Sequence, residues 1–92
     1  MNTITVRVCT PLRKFVGGHH EVQVPAQSVG EALQRLSSQY PDLQGRVTDA
    51  DGTLREFIQI HVGRMPLRQF GGPAARLRPG DVISVSSPFS GG

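Results

Sequence analysis

Residues 3–9 alternate, with Ile4, Val6 and Val8 on one side and Thr5, Arg7 and Cys9 on the other. That is the period of a strand with one buried face. Pro11 breaks the pattern, and Gly17-Gly18 supplies a turn into a second short strand over 19–24, with Val22 and Val24 inward. Two adjacent strands joined by a loop of this size predict a hairpin. Ser28-Val29-Gly30-Glu31 then fits a capping box, in which the Ser28 hydroxyl accepts from the Glu31 backbone N–H and the Glu31 carboxylate reaches back. Val29, Ala32, Leu33, Leu36 and Tyr40 recur at helical spacing, which predicts an amphipathic helix of about three turns. Pro41 ends it. Gly30 weakens its first turn, and close packing there is one reason for a glycine that the sequence alone does not show.

Residues 41–53 read as irregular, with a turn at Asp51-Gly52. A longer strand is expected over 54–62, with Ile58, Ile60 and Val62 on one face and Phe57, Gln59 and His61 on the other. The stretch 63–80 is rich in Gly and Pro and carries one short strand near Leu67. A last strand over 82–87 points Ile83 and Val85 inward, and Pro88-Phe89-Ser90-Gly91-Gly92 comes after it.

A hairpin, a helical crossover and a final strand returning to the centre make an α+β fold. The expectation is a β-grasp, with a mixed four- to five-stranded sheet and one main helix packed on one face. Residues 1–87 would form this domain and 88–92 a flexible diglycine tail. The expected core is Ile4, Val6, Val8, Val22, Val24, Val29, Leu33, Leu36, Ile58, Ile60, Val62, Leu77, Ile83 and Val85. One helix leaves the other sheet face open, and that face is the natural seat of a partner.

The length of 92 residues allows one domain and no separate cofactor domain. No apolar run approaches the ~20 residues that span a bilayer. Met1-Asn2-Thr3-Ile4-Thr5-Val6 lacks the basic start of a signal peptide, and the single Cys9 excludes an internal disulfide. A cytoplasmic location is the resulting expectation. Ten basic residues against seven acidic ones give +3. Arg64, Arg68, Arg76 and Arg78 have no acid between them, so the segment reads either as a docking patch or as a solvated loop. Only Phe70 interleaves these arginines, and no nucleic-acid-binding signature appears.

Catalytic chemistry finds little support. His19 and His20 are adjacent, so on a strand they would point to opposite faces and could not easily share a metal. His61 reads as a surface position without a nucleophile placed beside it. Cys9 reads as a small, partly buried thiol with no base to activate it. The carboxylates are scattered, and no phosphate-binding glycine loop is present.

The terminal Gly91-Gly92 is more informative. Five residues from Pro88 reach at most ~17 Å, so a folded domain would present a thin arm ending in a carboxylate. Glycines without Cβ atoms let such an arm enter a narrow active site. A carboxylate is inert until activated. Adenylation by ATP converts it to a mixed anhydride, which a sulfur nucleophile displaces to leave a thiocarboxylate, or an amine to leave an isopeptide. The plain alternative is a frayed small-residue end.

The opening strand with Thr10-Pro11-Leu12-Arg13, the helix with Tyr40-Pro41, and Asp51-Gly52-Thr53-Leu54-Arg55-Glu56-Phe57 entering Ile58-Gln59-Ile60-His61-Val62 form an ordered set. Phe70-Gly71-Gly72, Leu77 with Pro79-Gly80-Asp81, and Gly91-Gly92 complete it. Together they resemble the ubiquitin-like sulfur carrier proteins of the MoaD/ThiS family, closest to its CysO-like branch. The resemblance implies a protein co-substrate rather than an enzyme, with no cofactor of its own and no metal. An E1-like adenylating enzyme of the MoeB/ThiF type would use ATP to activate Gly92. A sulfur-accepting synthase, such as a cysteine-synthase homologue, would draw sulfur from the resulting thiocarboxylate. A JAMM-type metalloprotease would trim extensions or release a product.

In this resemblance Gly92 is the reactive position, Gly91 gives steric clearance and Phe89 anchors the tail between Pro88 and Ser90. Phe57, Gln59 and His61 would form the docking surface, assisted by Arg64 and Arg68. Ser86-Ser87-Pro88-Phe89-Ser90 is more polar than the small apolar run the family leads one to expect. The receiving pathway stays open between cysteine and a sulfur-containing metabolite or siderophore. A ubiquitin-like modifier joined to lysines and a non-covalent β-grasp interaction module are the alternatives. Neither nucleic acid nor membrane is an expected partner.

Overall fold

Strand β1 (Thr3–Val8) alternates between the two sides of the sheet, and Ile4, Val6 and Val8 are its buried positions. The computed structural model describes residues 2–43, 45, 47 and 58–86. After β1 the chain winds into a 3-10 helix, Thr10–Val16, where the sequence suggested only a loop. Pro11 suits the first turn, where its missing N–H has no intrahelical partner to lose. Leu12 and Val16 turn into the core, and Gly17 ends the segment at φ 70, a left-handed conformation open to glycine. Strand β2 (Glu21–Pro25) then pairs antiparallel with β1, setting Val22 opposite Val6 and Val24 opposite Ile4.

Helix α1 (Val29–Gln39) buries Val29, Ala32, Leu33 and Leu36 on one stripe. Its cap is a variant of the expected box. The Glu31 N–H donates to Ser28 Oγ at 3.2 Å, but the Glu31 carboxylate accepts the N–H of Gln27, at 2.7 Å. Gly30 lies against the Pro73 carbonyl without being crowded: its N–H donates to that oxygen at 2.9 Å, and a Cβ there would stand in ordinary contact at 3.4 Å. With the Leu77 N–H donating to the Gln27 carbonyl at 2.8 Å, this ties the 71–77 segment to the start of α1. A 3-10 turn, Pro41–Leu43, comes next. The Asp51-Gly52 turn and the first part of the strand expected over 54–62 lie outside the described residues.

Strands β3 (Gln59–Val62) and β4 (Met65–Pro66) form a tight hairpin, and β5 (Val82–Ser86) is the last described element. The short strand expected near Leu67 is β4, which stops at Pro66. Leu67 instead opens the one-turn helix α2 (Leu67–Phe70), because Pro66 has no N–H with which to extend a strand ladder.

The sheet order is β2-β1-β5-β3-β4, with β5 parallel to β1 and antiparallel to β3. A five-stranded mixed sheet with α1 across one face is a β-grasp, as the sequence led us to expect. Of the expected core, Ile58 is only partly buried. Leu12, Val16, Ala26, Ala32, Leu43, Val47 and Leu67 join the core from outside that set.

Candidate functional site

The candidate chemistry belongs to the segment beyond β5, and β5 sets where that segment starts. This strand occupies the middle of the sheet because Ile83 and Val85 are buried and both of its edges are paired. Its end is held from two sides. The Cys9 N–H donates to the Val85 carbonyl at 3.1 Å, and the Ser86 hydroxyl donates to the Gln59 carbonyl at 3.4 Å. The chain beyond Ser86 therefore starts from a fixed point. Pro88, Phe89, Ser90, Gly91 and Gly92 lie outside the described residues, as does Phe57.

The sheet face opposite α1 carries the other expected residues. Gln59 and His61 alternate with the buried Ile60 and Val62, so they stand on this outer face. Register continues one row across all five strands: Glu21, Arg7, Ser84, His61 and Pro66. Arg7 and Glu21 close the row at one end with an exposed ion pair at 3.5 Å. Such a pair is worth under ~1 kcal/mol, so it adds little to the stability of the fold. Among the described residues the face is mostly polar, with half-buried Val82 and Pro66 as apolar members.

Arg64 and Arg68 are placed elsewhere. The Gly63 N–H donates to the Val82 carbonyl at 2.8 Å, so the Gly63-Arg64 turn sits at the start of β5. Four strand residues, about 13 Å, separate that end from Ser86. Met65 pairs with Val62, so the two share the face opposite His61. Val62, Arg64, Met65 and Gln69 line a shallow depression of ≈ 330 Å³. Arg68 is exposed on α2, the helix that follows the edge strand β4. The structure thus brings Gln59 and His61 together beside the root of the tail and sets Arg64 apart from them. Sequence reading passes over Met65, the exposed large hydrophobic among the described residues at 44%. Its only sequence signal is its place just after Gly63-Arg64.

No catalytic cluster emerges among the described residues. His19 and His20 are exposed, Cys9 is half-buried, and no three His, Cys, Asp or Glu side chains are placed to hold a metal ion. No helix among them is long and apolar enough to cross a membrane.

Comparison with known proteins adds to this geometry. The model of the ThiS family matches residues 6–92. The chain is 29% identical over 91 residues to the sulfur carrier protein CysO of Mycobacterium tuberculosis, covering 97% of this chain and 98% of that one. Among solved structures, it is similar to the Amycolatopsis orientalis BexX/CysO complex, with a TM-score of 0.84 and 27% identity over 97% of this chain and 99% of the other. It is also similar to small archaeal modifier protein 1 from Methanosarcina acetivorans, with a TM-score of 0.84 and 26% identity, covering 100% of this chain and 98% of that one.

Proposed function

Since the chain belongs to the ThiS family, we propose that it is a cytoplasmic sulfur carrier, a protein co-substrate rather than an enzyme, that works through the carboxylate of Gly92. The near full-length similarity to proteins named as sulfur carriers carries this reading.

The chemistry runs in two displacements. A carboxylate oxygen of Gly92 attacks the α-phosphorus of ATP in the site of an E1-like adenylating enzyme, and pyrophosphate leaves. Hydrosulfide then attacks the acyl carbon, AMP leaves, a proton is released, and a thiocarboxylate remains. The acyl adenylate needs no side chain from this protein, in keeping with the lack of a nucleophile–base pair among the described residues. The protein contributes reach and clearance. Gly91 keeps Cβ atoms out of the partner's channel, Phe89 anchors the tail, and Pro88 and Ser90 complete the spacer. Gln59 and His61, with Phe57, dock the partner beside the fixed end of β5. A sulfur-accepting synthase then takes the tail in turn, a role supported by the similarity to a CysO found in a complex with BexX. Cysteine or another sulfur-containing metabolite is the product, and a JAMM-type metalloprotease processes the tail.

The test is an intact-mass measurement after incubation of the full chain with ATP, sulfide and an adenylating enzyme. The expected result is replacement of one oxygen by sulfur, absent from a chain lacking Gly92. An unchanged mass with an enzyme active on its own carrier would reject the reading.

Similarity to a small archaeal modifier protein favours a second reading, in which an amine captures the same activated carbon to form an isopeptide. Leu77–Gly92 remnants on lysines of other proteins after tryptic digestion would mark it, since Arg76 is the last cleavable site before the tail. Their absence from cells expressing the chain would remove it.

A further inference from the structure

The turn between β3 and β4 holds features that the tail chemistry does not use. Gly63 adopts φ +61 and lets the chain reverse in two residues, which fixes Arg64 at the tip and pairs Met65 with Val62. The result is an apolar floor with a cationic rim. Val62 and Met65 form the floor, and Arg64 and Gln69 border it. The opening of ≈ 330 Å³ is at the small end of the ~300–1,000 Å³ range of ligand clefts, large enough for one or two side chains. Met65 suits such a role, because its unbranched, polarisable side chain adapts to different apolar partners.

Charge narrows the occupant. Between Phe57 and Asp81 the chain has no acidic residue. Among the described residues Arg64 and Arg68 make no ion pair. Asp81, near the same end of the sheet, is engaged by its own turn, where its carboxylate accepts the Arg78 N–H at 2.8 Å. Among the described residues Arg64 is therefore a cation without a paired carboxylate, beside exposed apolar surface. Among the described residues no aromatic side chain lines the depression to stack a nucleobase.

We infer that this depression is a second docking site, taken by a protein segment that presents one apolar side chain flanked by carboxylates. The apolar group fills the Val62–Met65 floor, and a carboxylate pairs with Arg64, a bidentate geometry that lysine would not reproduce. His61 and Gln59 stand on the opposite side of β3 from Val62 and Met65. A segment bound here leaves the outer sheet face and the end of β5 free. Two partners can then hold the protein together, one at the tail and one at this turn. The site is independent of the chemistry at Gly92, so loss of either reading leaves the other standing.

The experiment is a titration of the full-length, isotope-labelled chain with an acetylated, amidated peptide of about ten residues carrying one central leucine between glutamates. A control peptide replaces each glutamate with glutamine. Amide signals of Val62, Arg64, Met65 and Gln69 should shift with the acidic peptide, while those of Thr5, Arg7 and Ser84 stay in place. Binding should weaken about tenfold in Arg64→Glu and by a similar factor in Met65→Ser. It should also fall as salt rises from about 0.15 M to about 0.5 M. Both substituted positions are exposed, and an unchanged dispersion of core amides confirms that the variants fold. The inference fails if no shift appears at millimolar peptide, if the shifts fall on the outer sheet face, if the glutamine peptide binds equally well, or if Arg64→Glu binds unchanged.

Discussion

His61 lies directly across from Ser84 on the sheet face that α1 leaves open, and Arg7 lies across from the same serine on its other side. Small Ser84 thus separates an imidazole from a guanidinium in the middle of the candidate docking face. On the proposed function, this arrangement would let a partner approach the backbone of β5 closely, a few residues before the segment that ends in Gly92.

Filling that gap should obstruct the approach. Ser84→Trp is expected to raise the KM for adenylation about tenfold or more, with kcat little changed, since the loss is in uniform binding. Pyrophosphate release measured against carrier concentration separates the two. A drop confined to kcat would place the partner elsewhere.

Ile83 is fully buried at the centre of the sheet. Ile83→Ala removes its packing and leaves a cavity in the core, which should cost about 2–5 kcal/mol. Urea unfolding monitored by circular dichroism measures this as a shift of the midpoint. A shift below ~1 kcal/mol would mean that the core closes around the gap.

The cap of α1 has two separable halves. Ser28→Ala loses the acceptor for the Glu31 N–H and should destabilise the protein by about 1 kcal/mol. Glu31→Ala strips the Gln27 N–H of its acceptor and should cost a comparable amount. The double variant is expected to cost less than the sum, because the Glu31 N–H and carboxylate order the same turn. Chemical denaturation of the three variants gives the coupling.

Gly30 and Gly71 should respond in opposite directions to alanine. At Gly30 a Cβ meets the Pro73 oxygen at 3.4 Å, an ordinary contact, so the gain in helix propensity is expected to stabilise by about 0.5–1 kcal/mol. Gly71 holds φ 120, and its Cβ would come within 3.0 Å of Ala75 Cβ. Alanine there is strained and should cost about 1–3 kcal/mol. Thermal melts of the two variants decide both.

The order of elements is legible because β1, α1 and β5 each carry an unbroken period that only one face can bury. Ser28 and Glu31 announce the helix start, although geometry gives the carboxylate to Gln27. Residues 10–16 escape because one short 3-10 segment shows too few turns for a period, and Pro11 reads equally as a breaker. Leu12 and Val16 then enter the core unannounced. The short strand expected near Leu67 is found at Met65–Pro66, while the one-turn helix after it escapes because four residues show no period. For the candidate site, alternation puts Gln59 and His61 on the outer face correctly. It cannot place Arg64, since residues in a tight turn have no alternation to obey.

The central position of β5 also sets the order in which the sheet can be assembled during synthesis. Translation delivers β1 first, yet the strand that bridges β1 to β3 is the last of the five to leave the ribosome. Until then the β1–β2 hairpin and the β3–β4 hairpin share no ladder, and α1 has only part of a surface to lie on. The domain must therefore close only once all five strands have emerged, so the same late segment completes the globule and leads into the tail.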